Sequence, residues 1–374
     1  MSTALIVQAV FFTMDKKALD NKLMSVVEVG HNQASQDNIM VVNLQREIEK
    51  TLAQEIKLPT IYITMSGEPR FNRALFENKS MALFINDCLS MHHFTDKAGR
   101  VTRRVLVLYP MTFSRRDEIP KHQILQKVAN AVNYPLEGCE LEVVDLRGLQ
   151  KQRQYLEGRA SVNFSYNGEF VYMALSGRSD ERVLEIVCAP ENLNIPQEKR
   201  FIFTAVLPQR SKERGDIVGE DIVPYTNLVG WCGKGICAWG LGFLRFTSEE
   251  EQENFYQHLE NNYSRVINLE EDEIRAFCGN ATEVSVNGPD GERRVLCISH
   301  GALNALRPLK RKMLEEWYGP ENIYPFYADV LERRSGRSVG SLISQPVIHG
   351  EDLPLPGEFG ILEAAKIEPK DMSV

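Results

Sequence analysis

Short apolar runs rich in β-branched residues alternate along the chain with longer stretches in which apolar residues recur every three or four positions. The first pattern predicts β-strands and the second predicts amphipathic helices. The predicted strands are residues 4–12, 60–65, 81–84, 105–109, 140–144, 161–165, 169–174, 201–206, 236–239, 264–268, 283–286 and 295–299. The predicted helices are residues 45–56, 121–132, 180–188, 248–261 and 302–317, with a further short helix that begins at Glu270.

The clearest helix boundary is at Thr247-Ser248, where a hydroxyl residue precedes three glutamates and then an apolar period. A hydroxyl cap and acids in the first turn are typical of a helix N-terminus. Strands and helices alternate with short links and without a low-complexity linker. We therefore expect an α/β fold, with a single domain over residues 1–350. A C-terminal tail over residues 351–374 contains the Pro-rich stretch at 353–357.

Composition places the chain among ordinary globular proteins and sets limits on its partners. It has 374 residues, of which 43% are hydrophobic and 25% charged, and its net charge is −8. An acidic protein is poorly suited to wrapping nucleic acid, so binding to nucleic acid is not favoured. The two basic stretches, at residues 212–214 and 307–312, are interpreted as solvated surface.

Apolar runs and cysteines bear on the compartment. The longest runs, residues 105–109 and 237–244, are far shorter than the roughly 20 residues that span a bilayer, so no membrane partner is expected. Residues 4–12 lack a preceding basic segment and a following cleavage site, and so are interpreted as a buried strand. Seven cysteines without a CxxC pair are typical of a reducing compartment, and neither a metal nor a cofactor is expected. We expect the cytoplasm, or a cytoskeletal or other large assembly within it.

Seven blocks of residues are informative because of their order along the chain. They are residues 73–78, Tyr109-Pro-Met111 with Arg115-Arg-Asp-Glu118, Leu156-Glu-Gly158 with Ser161, residues 172–180, Pro224-Tyr-Thr-Asn227, residues 266–303 with Ala276-Phe-Cys-Gly-Asn280, and Glu332 with residues 336–341. Each block alone is common in proteins. Their joint order resembles the bacterial citrulline-utilising hydrolases, a branch of the amidinotransferase and arginine-deiminase (pentein) superfamily.

The resemblance implies a particular architecture and a particular chemistry. The implied fold is a pentein-type α/β propeller, with five ββαβ-like units around a pseudo-fivefold axis and the active site in a central channel. In this superfamily a cysteine thiolate attacks the central carbon of a guanidine or ureido group. A histidine transfers the protons, and carboxylates hold the planar guanidinium.

The catalytic positions of the family hold other residues in this chain. The cysteine position falls on Ser341, the histidine position on Tyr225 and an acidic substrate-binding position on Arg73, whereas Glu157 is retained. A serine needs an adjacent base, and a tyrosine with a pKa of about 10 is a poor proton acceptor at pH 7. A cation at position 73 would repel a guanidinium by about 4 kcal/mol at a separation of roughly 4 Å and an effective dielectric near 20.

The resemblance also implies a set of substrate-binding positions. These are Arg73, Asn78, Arg159, Asn227, Asn280 and Ser338. If Arg73, Arg159 and Arg337 all face the channel, the channel is cationic and suits an anion such as phosphate or carboxylate.

Simpler structural roles compete with these assignments. Glu157 could satisfy a buried strand end or pair with Arg159, and Tyr225 could fill the former histidine space as part of the core. Arg115, together with its neighbour Arg116, is interpreted as a surface partner of the two acids that follow it.

Three hypotheses about function result. The leading one is a catalytically degenerate pseudoenzyme that acts as a binding or structural subunit of a larger assembly, with other protein subunits as partners. The alternative is a hydrolase that acts on a guanidino or ureido compound through Ser341, or through a displaced cysteine such as Cys232 or Cys278. The third is a protein that binds a small anion or a nucleotide end in an arginine-lined channel.

Overall fold

The structure is a computed structural model, and it describes residues 3–9, 12, 20–24, 30–63, 81–115, 139, 141–211, 215–288 and 291–350. The predicted helix at 121–132, the tail at 351–374, and the predicted site residues Arg73 and Asn78 lie outside these ranges.

The strands in these ranges are short, and most are buried on at least part of their length. They are β1 (Ala4–Val7), β2 (Thr60–Ile63), β3 (Leu89–Thr95), β4 (Val101–Leu108), β5 (Leu141–Asp145), β6 (Val162–Phe164), β7 (Val171–Ala174), β8 (Arg200–Arg210), β9 (Ile217–Ile222), β10 (Gly230–Gly233), β11 (Ile236–Trp239), β12 (Leu244–Arg245), β13 (Arg265–Asn268), β14 (Thr282–Gly288), β15 (Gly291–Ser299), β16 (Ile323–Phe326) and β17 (Val347–His349).

The α-helices lie mainly between the strands. They are α1 (His31–Lys50), α2 (Ile85–Cys88), α3 (Gly158–Ser161), α4 (Glu181–Cys188), α5 (Glu249–Asn262), α6 (Glu271–Arg275), α7 (His300–Ala305), α8 (Pro308–Tyr318) and α9 (Asp329–Ser335). A π-helical segment, Thr51–Ile56, extends α1.

Within the described ranges, the strands form five separate sheets, and one arrangement recurs in four of them. An antiparallel hairpin is followed by a third strand that lies parallel to its second member. This holds for β3-β4-β5, β6-β7-β8, β10-β11-β13 and β14-β15-β16, and the remaining sheet is the parallel pair β1-β2. The recurrence of hairpin, connection and parallel strand establishes an α/β fold with mixed sheets. The symmetric arrangement of five units about one axis stays a prediction.

Local sequence explains the two most regular crossover helices. The Asp180 side chain accepts a hydrogen bond from the Arg182 N–H at the start of α4, and the Ser248 side chain accepts one from the Glu251 N–H at the start of α5. Each cap satisfies a backbone donor that the first turn leaves free. The buried face of α5 includes Phe255, which packs 6.0 Å from Trp239 of β11 between ring centres. This aromatic contact belongs to the largest hydrophobic cluster.

The structure differs from the predicted elements in several places. The strand predicted at 81–84 is wrong, because this segment is a turn that leads into α2, and its apolar residues reflect burial without strand geometry. The helix predicted at 302–317 is two helices, since Pro308 lacks an N–H and begins a new helix at its first position. Sequence patterns missed β3, β9, β10, β12, β16 and β17. No helix among the described residues is long and apolar enough to cross a membrane.

Candidate functional site

Five short turns lie beside one another and position most of the predicted site residues. They are α2, α3, the single-turn helices Thr226–Leu228 and Val339–Ser341, and the turn at residues 277–280. We call these five segments the ring of turns. Each is followed by a strand, namely β3, β6, β10, β14 and β17 in chain order.

Direct contacts link successive members of the ring of turns. A Cβ added to Gly158 would lie 2.2 Å from the Asn86 carbonyl oxygen, so α3 sits against the backbone of α2. The other contacts are hydrogen bonds from Thr226 Oγ1 to the Ser161 carbonyl, from Asn280 Nδ2 to the Asn227 carbonyl (2.8 Å), from Gly340 N to the Asn280 carbonyl (3.0 Å) and from Asn86 Nδ2 to the Ile343 carbonyl (2.7 Å). The last of these joins the end of the series to its beginning.

The Glu157 carboxylate, at the start of α3, is fully buried and binds the chain's own side chains. Arg115 Nη1 lies 2.6 Å from its Oε2 atom, and Arg178 Nη1 lies 3.1 Å from the same atom. The Tyr225 hydroxyl donates to Oε2 at 2.8 Å, and the Thr112 hydroxyl donates to Oε1 at 2.6 Å. Burial alone would raise the pKa of Glu157, but the guanidinium groups of Arg115 and Arg178 outweigh it and hold the pKa well below its usual range.

A second buried carboxylate, Asp87, joins the same network. Arg115 Nη1 lies 2.7 Å from Asp87 Oδ2, and Arg337 Nη1 pairs with that oxygen too. Arg178 binds Asp20 through two parallel hydrogen bonds of 2.6 Å. Among the described residues, the network contains three carboxylates (Asp20, Asp87 and Glu157) and three guanidinium groups (Arg115, Arg178 and Arg337), whose formal charges balance. We call it the arginine–carboxylate network.

Tyr225 packs against two of these arginines. The guanidinium carbon of Arg337 lies 3.9 Å from the centre of the Tyr225 ring, and that of Arg178 lies 5.3 Å from it. Both distances are in the range of a favourable cation–π contact. Burial raises the pKa of the Tyr225 hydroxyl well above its usual value, so this residue acts as a hydrogen-bond donor and not as a base near neutral pH.

Ser341 lies in a different part of the ring of turns. Among the described residues, its hydroxyl donates to Asn280 Oδ1 at 3.1 Å and accepts from Asn227 Nδ2 at 3.3 Å. The Ser338 N–H also donates to Asn280 Oδ1, at 2.8 Å, and the Ser338 hydroxyl donates to Glu332 Oε1 at 2.6 Å. Neither Asn227 nor Asn280 is a base that could take the proton of Ser341 at neutral pH.

The predicted site residues therefore separate into three groups. Glu157 and Tyr225 are in direct contact, and Asn227, Asn280, Ser338 and Ser341 form a hydrogen-bonded group of their own. Arg159 has no hydrogen bond to either group, although it lines a cleft together with Asn227 and Asn280, and its Nη1 donates to the Gln345 carbonyl at 3.1 Å.

Three interpretations made from the sequence are corrected. Arg115 was expected at the surface, but it is buried and bound to Glu157 and Asp87. Glu157 pairs with this arginine and with Arg178, and not with Arg159. The Arg337 guanidinium is neutralised by Asp87, so it does not supply the free positive charge expected of a cationic channel.

Asp87 is the main site residue that sequence patterns missed. It follows the apolar run 81–85, in a segment interpreted as a strand and its end. A carboxylate so close to a buried run indicates a paired charge in the interior, because an unpaired one is too costly there. Arg178 occurs in one of the family-like blocks, but nothing local indicated that it binds both Glu157 and Asp20.

The two candidate displaced cysteines lack the surroundings of a nucleophile. Burial raises the pKa of the Cys232 thiol to about 12, and burial also raises the pKa of the Cys278 thiol. A reactive thiolate requires the opposite shift.

Comparisons with known proteins agree with this scaffold. The family model for eukaryotic N,N-dimethylarginine dimethylhydrolase matches residues 73–345. No curated protein matches the chain significantly. Among solved structures, the cyanobacterial arginine dihydrolase ArgZ, of the ornithine–ammonia cycle, is similar with a TM-score of 0.59 and 13% identity over 95% of this chain and 42% of ArgZ. This chain thus spans less than half of that enzyme's length.

The N-terminal domain of ArgZ gives a match of more equal extent. A substrate-bound form of that domain has a TM-score of 0.60 and 12% identity, over 93% of this chain and 99% of the domain. At such identities the likeness shows the fold alone. The family match itself covers most of the chain, and the chain therefore belongs to the N,N-dimethylarginine dimethylhydrolase family of the pentein superfamily.

Proposed function

We propose that this chain is a catalytically degenerate member of its family, a pseudoenzyme that acts as a binding or structural subunit of a larger cytoplasmic assembly. The observation that carries the proposal is the occupation of Glu157 and Asp87 by the chain's own guanidinium groups.

The arginine–carboxylate network occupies both buried carboxylates, Glu157 and Asp87, that the described part of the chain places at this position. Both Glu157 and Asp87 are fully buried, and Arg115 contacts both of them. A substrate guanidinium would have to displace one of the internal arginines or add a further cation beside carboxylates that are already paired. An unpaired buried charge costs several kcal/mol, so either route opposes binding.

Arg337 distinguishes this chain from the family pattern in the same place. Where the family has Gly-Gly-Ser-Ala-Arg-Cys, this chain has Gly336-Arg-Ser-Val-Gly-Ser341, so position 337 gains an arginine and position 340 loses one. The added guanidinium pairs with Asp87 and stacks on Tyr225. Within this one segment, the nucleophile position holds Ser341, and Arg337 fills the space beside Tyr225, which occupies the family's histidine position.

The missing nucleophile gives separate support. Among the residues that the structure describes, Ser341 contacts two asparagines and no base, and the half-buried Cys232 thiol has a pKa that burial raises. A cysteine-to-serine form of the ArgZ N-terminal domain was solved with bound substrate. In that protein serine alone does not prevent binding, so binding and turnover must be measured separately for this chain.

An exposed apolar strand supports a role in an assembly. Ile217, Val218 and Ile222 on β9 are 62%, 61% and 53% exposed, and among the described strands β9 pairs with β8 alone. Exposed apolar side chains on an edge strand are a common place for another protein to bind.

We include in the proposal that the ring of turns lies at the centre of five units about one axis, because the contacts between its members follow the order of the chain and the last member contacts the first.

The decisive experiment measures turnover and binding together. Purified protein is incubated with arginine, citrulline, agmatine or methylarginines, and released ammonia and citrulline are quantified. We expect no product above buffer and no change in Tm with any of these compounds.

Two results would contradict the proposal and identify the alternative. Product release that disappears in Ser341→Ala, with Tm unchanged, would show a serine-dependent hydrolase. Stoichiometric labelling of one cysteine by a haloacetamidine, at Cys232 or Cys278, would indicate a displaced thiol nucleophile.

A further inference from the structure

A cleft outside the arginine–carboxylate network is lined by one residue from each member of the ring of turns. These residues are Asn86, Arg159, Asn227, Asn280 and Gly340. We call it the Arg159 cleft. It continues past Phe164, Cys232 and Thr282 into a larger part beside Gln345. The side chains that bind Glu157 and Asp87 do not line it, so it is separate from the arginine–carboxylate network, although Asn227 and Asn280 also bind the Ser341 hydroxyl.

Arg159 is the cationic group of this cleft. Glu283 also lines the part beside Gln345, but its carboxylate accepts hydrogen bonds from the Lys234 N–H and the Tyr318 hydroxyl and does not pair with Arg159. Its guanidinium donates one hydrogen bond, to the Gln345 carbonyl, and no described carboxylate lies within ion-pair distance. Burial lowers the pKa of Arg159, but arginine remains charged in proteins. A half-buried cation with unused donors favours an anionic ligand, and its planar fork matches the two oxygens of a carboxylate.

Two acceptors in the same cleft are also unused. The Oδ1 atoms of Asn86 and Asn227 are buried and have no hydrogen-bond partner among the described residues. The orientation of the Asn86 amide is fixed, since its Nδ2 donates to the Ile343 carbonyl, which can only accept. An unpaired buried acceptor costs free energy, so a ligand that supplies an O–H or N–H group here removes a penalty.

We propose that the Arg159 cleft binds a small organic carboxylate that carries a hydroxyl or N–H donor. The carboxylate binds the Arg159 guanidinium, and the donor binds the side-chain oxygen of Asn86 or Asn227. The apolar surface of Phe164 contacts the carbon skeleton of the ligand. This ligand differs from a guanidino substrate, which would bring a cation towards the charge of Arg159.

Three probes with one carbon skeleton test the two halves of this proposal. L-lactate has both the carboxylate and the donor, propionate lacks the hydroxyl, and L-lactamide lacks the charge. Binding to the full chain is measured by isothermal titration calorimetry and ligand-detected NMR, with inorganic phosphate as a fourth probe. We expect L-lactate to bind at least about tenfold more tightly than L-lactamide, which lacks the charge that Arg159 binds. Against propionate we expect about two- to tenfold, since the lost hydrogen bond joins two neutral groups.

Variants assign the binding to the cleft. Arg159→Met is expected to weaken L-lactate binding at least about tenfold, and Arg159→Lys is expected to retain part of it, because the charge remains but the planar fork does not. Arg333, which is exposed on α9, provides the control Arg333→Met, with unchanged affinity expected. Tm values identify any variant that fails to fold.

Each of the following results would contradict one part of the proposal for the Arg159 cleft. Equal affinity for L-lactate and propionate excludes the donor contact, and equal affinity for L-lactate and L-lactamide excludes the carboxylate contact with Arg159. Phosphate binding that is tighter and depends on Arg159 excludes a carboxylate as the ligand class. The absence of saturable binding overturns the site as a whole. None of these readouts depends on hydrolysis, so failure here is distinct from failure of the pseudoenzyme proposal.

Discussion

The guanidinium of Arg337 stacks on the ring of Tyr225 at 3.9 Å while its Nη1 atom pairs with the buried Asp87 carboxylate. One arginine thus contacts both the residue at the former histidine position and an internal acid. The stacking, the ion pair and the neighbouring Glu157 form one structural unit, and predictions about stability follow from it.

Removing the Arg337 side chain should cost much more stability than removing an exposed arginine. Arg337→Met leaves Asp87 with one arginine fewer in a buried site, and we expect a loss of about 3–5 kcal/mol in the free energy of unfolding. Urea denaturation measures it. The control is Arg182→Met, because Arg182 is largely exposed in its pair with Asp180 and should cost less than about 1 kcal/mol. Equal effects of the two substitutions would contradict the importance of the network.

The hydroxyl of Tyr225 should stabilise the fold through Glu157. Tyr225→Phe keeps the ring that stacks on Arg337 but removes the 2.8 Å hydrogen bond to the carboxylate. We expect a loss of about 1.5–3 kcal/mol, the usual range for a bond to a charged group. Tyr327→Phe is the matched control, since Tyr327 is 67% exposed. A Tyr225→Phe protein as stable as the control variant would show that the hydrogen bond contributes nothing.

The ring of turns should tolerate no added atom at Gly279. A Cβ there would lie 2.3 Å from the Leu228 carbonyl oxygen, which is backbone and cannot rotate away. Gly279→Ala should therefore destabilise the protein by about 1–3 kcal/mol through overpacking. Gly177→Ala has no atom within 4 Å of the new Cβ and should change stability by no more than about 0.5 kcal/mol. The comparison is made by thermal and urea unfolding, and similar values for the two variants would disprove the close approach.

Acid should destabilise the protein through buried histidines near the C-terminal strand. His349 Nε2 lies 2.8 Å from His92 Nδ1, and burial lowers the pKa of His349 to about 4. The unfolded chain, with a histidine pKa near 6.5, binds more protons between these values. The contribution of neutral His349 to the free energy of unfolding is therefore fully present above about pH 6.5. It decreases as the pH falls towards 4, by about 3 kcal/mol for this residue alone.

Unfolding free energies at pH 7, 6, 5 and 4.5 test this dependence. His349→Gln should reduce the slope of stability against pH over that window, because it removes the titrating group. His300→Gln provides the control, since His300 is only partly buried and stacks on the exposed Tyr327. An unchanged slope in His349→Gln would assign the acid sensitivity to other residues.

Sequence reasoning was most successful where one local pattern determines one element. The capped helices α4 and α5 and the buried strands β4 and β7 follow their patterns closely, and the order of the blocks indicated the family. Short strands such as β10 and β17 were missed because two to four residues carry no period. Sequence patterns also did not predict ion pairs between residues far apart in the chain, such as Arg337 and Asp87. Tertiary contact alone decides which of several arginines binds which acid.

The contacts that close the fold join residues from opposite ends of the chain. Strand β17 completes the sheet of β3, Ser344 bridges to Leu5, and the Ile343 carbonyl accepts the hydrogen bond from Asn86. A nascent chain on the ribosome cannot make these contacts until nearly 350 residues have been synthesised. Such distant pairing slows folding and leaves apolar surface open in the meantime. We therefore expect early-synthesised segments to depend on chaperones, and a chain stopped before residue 343 to be a target for proteolysis.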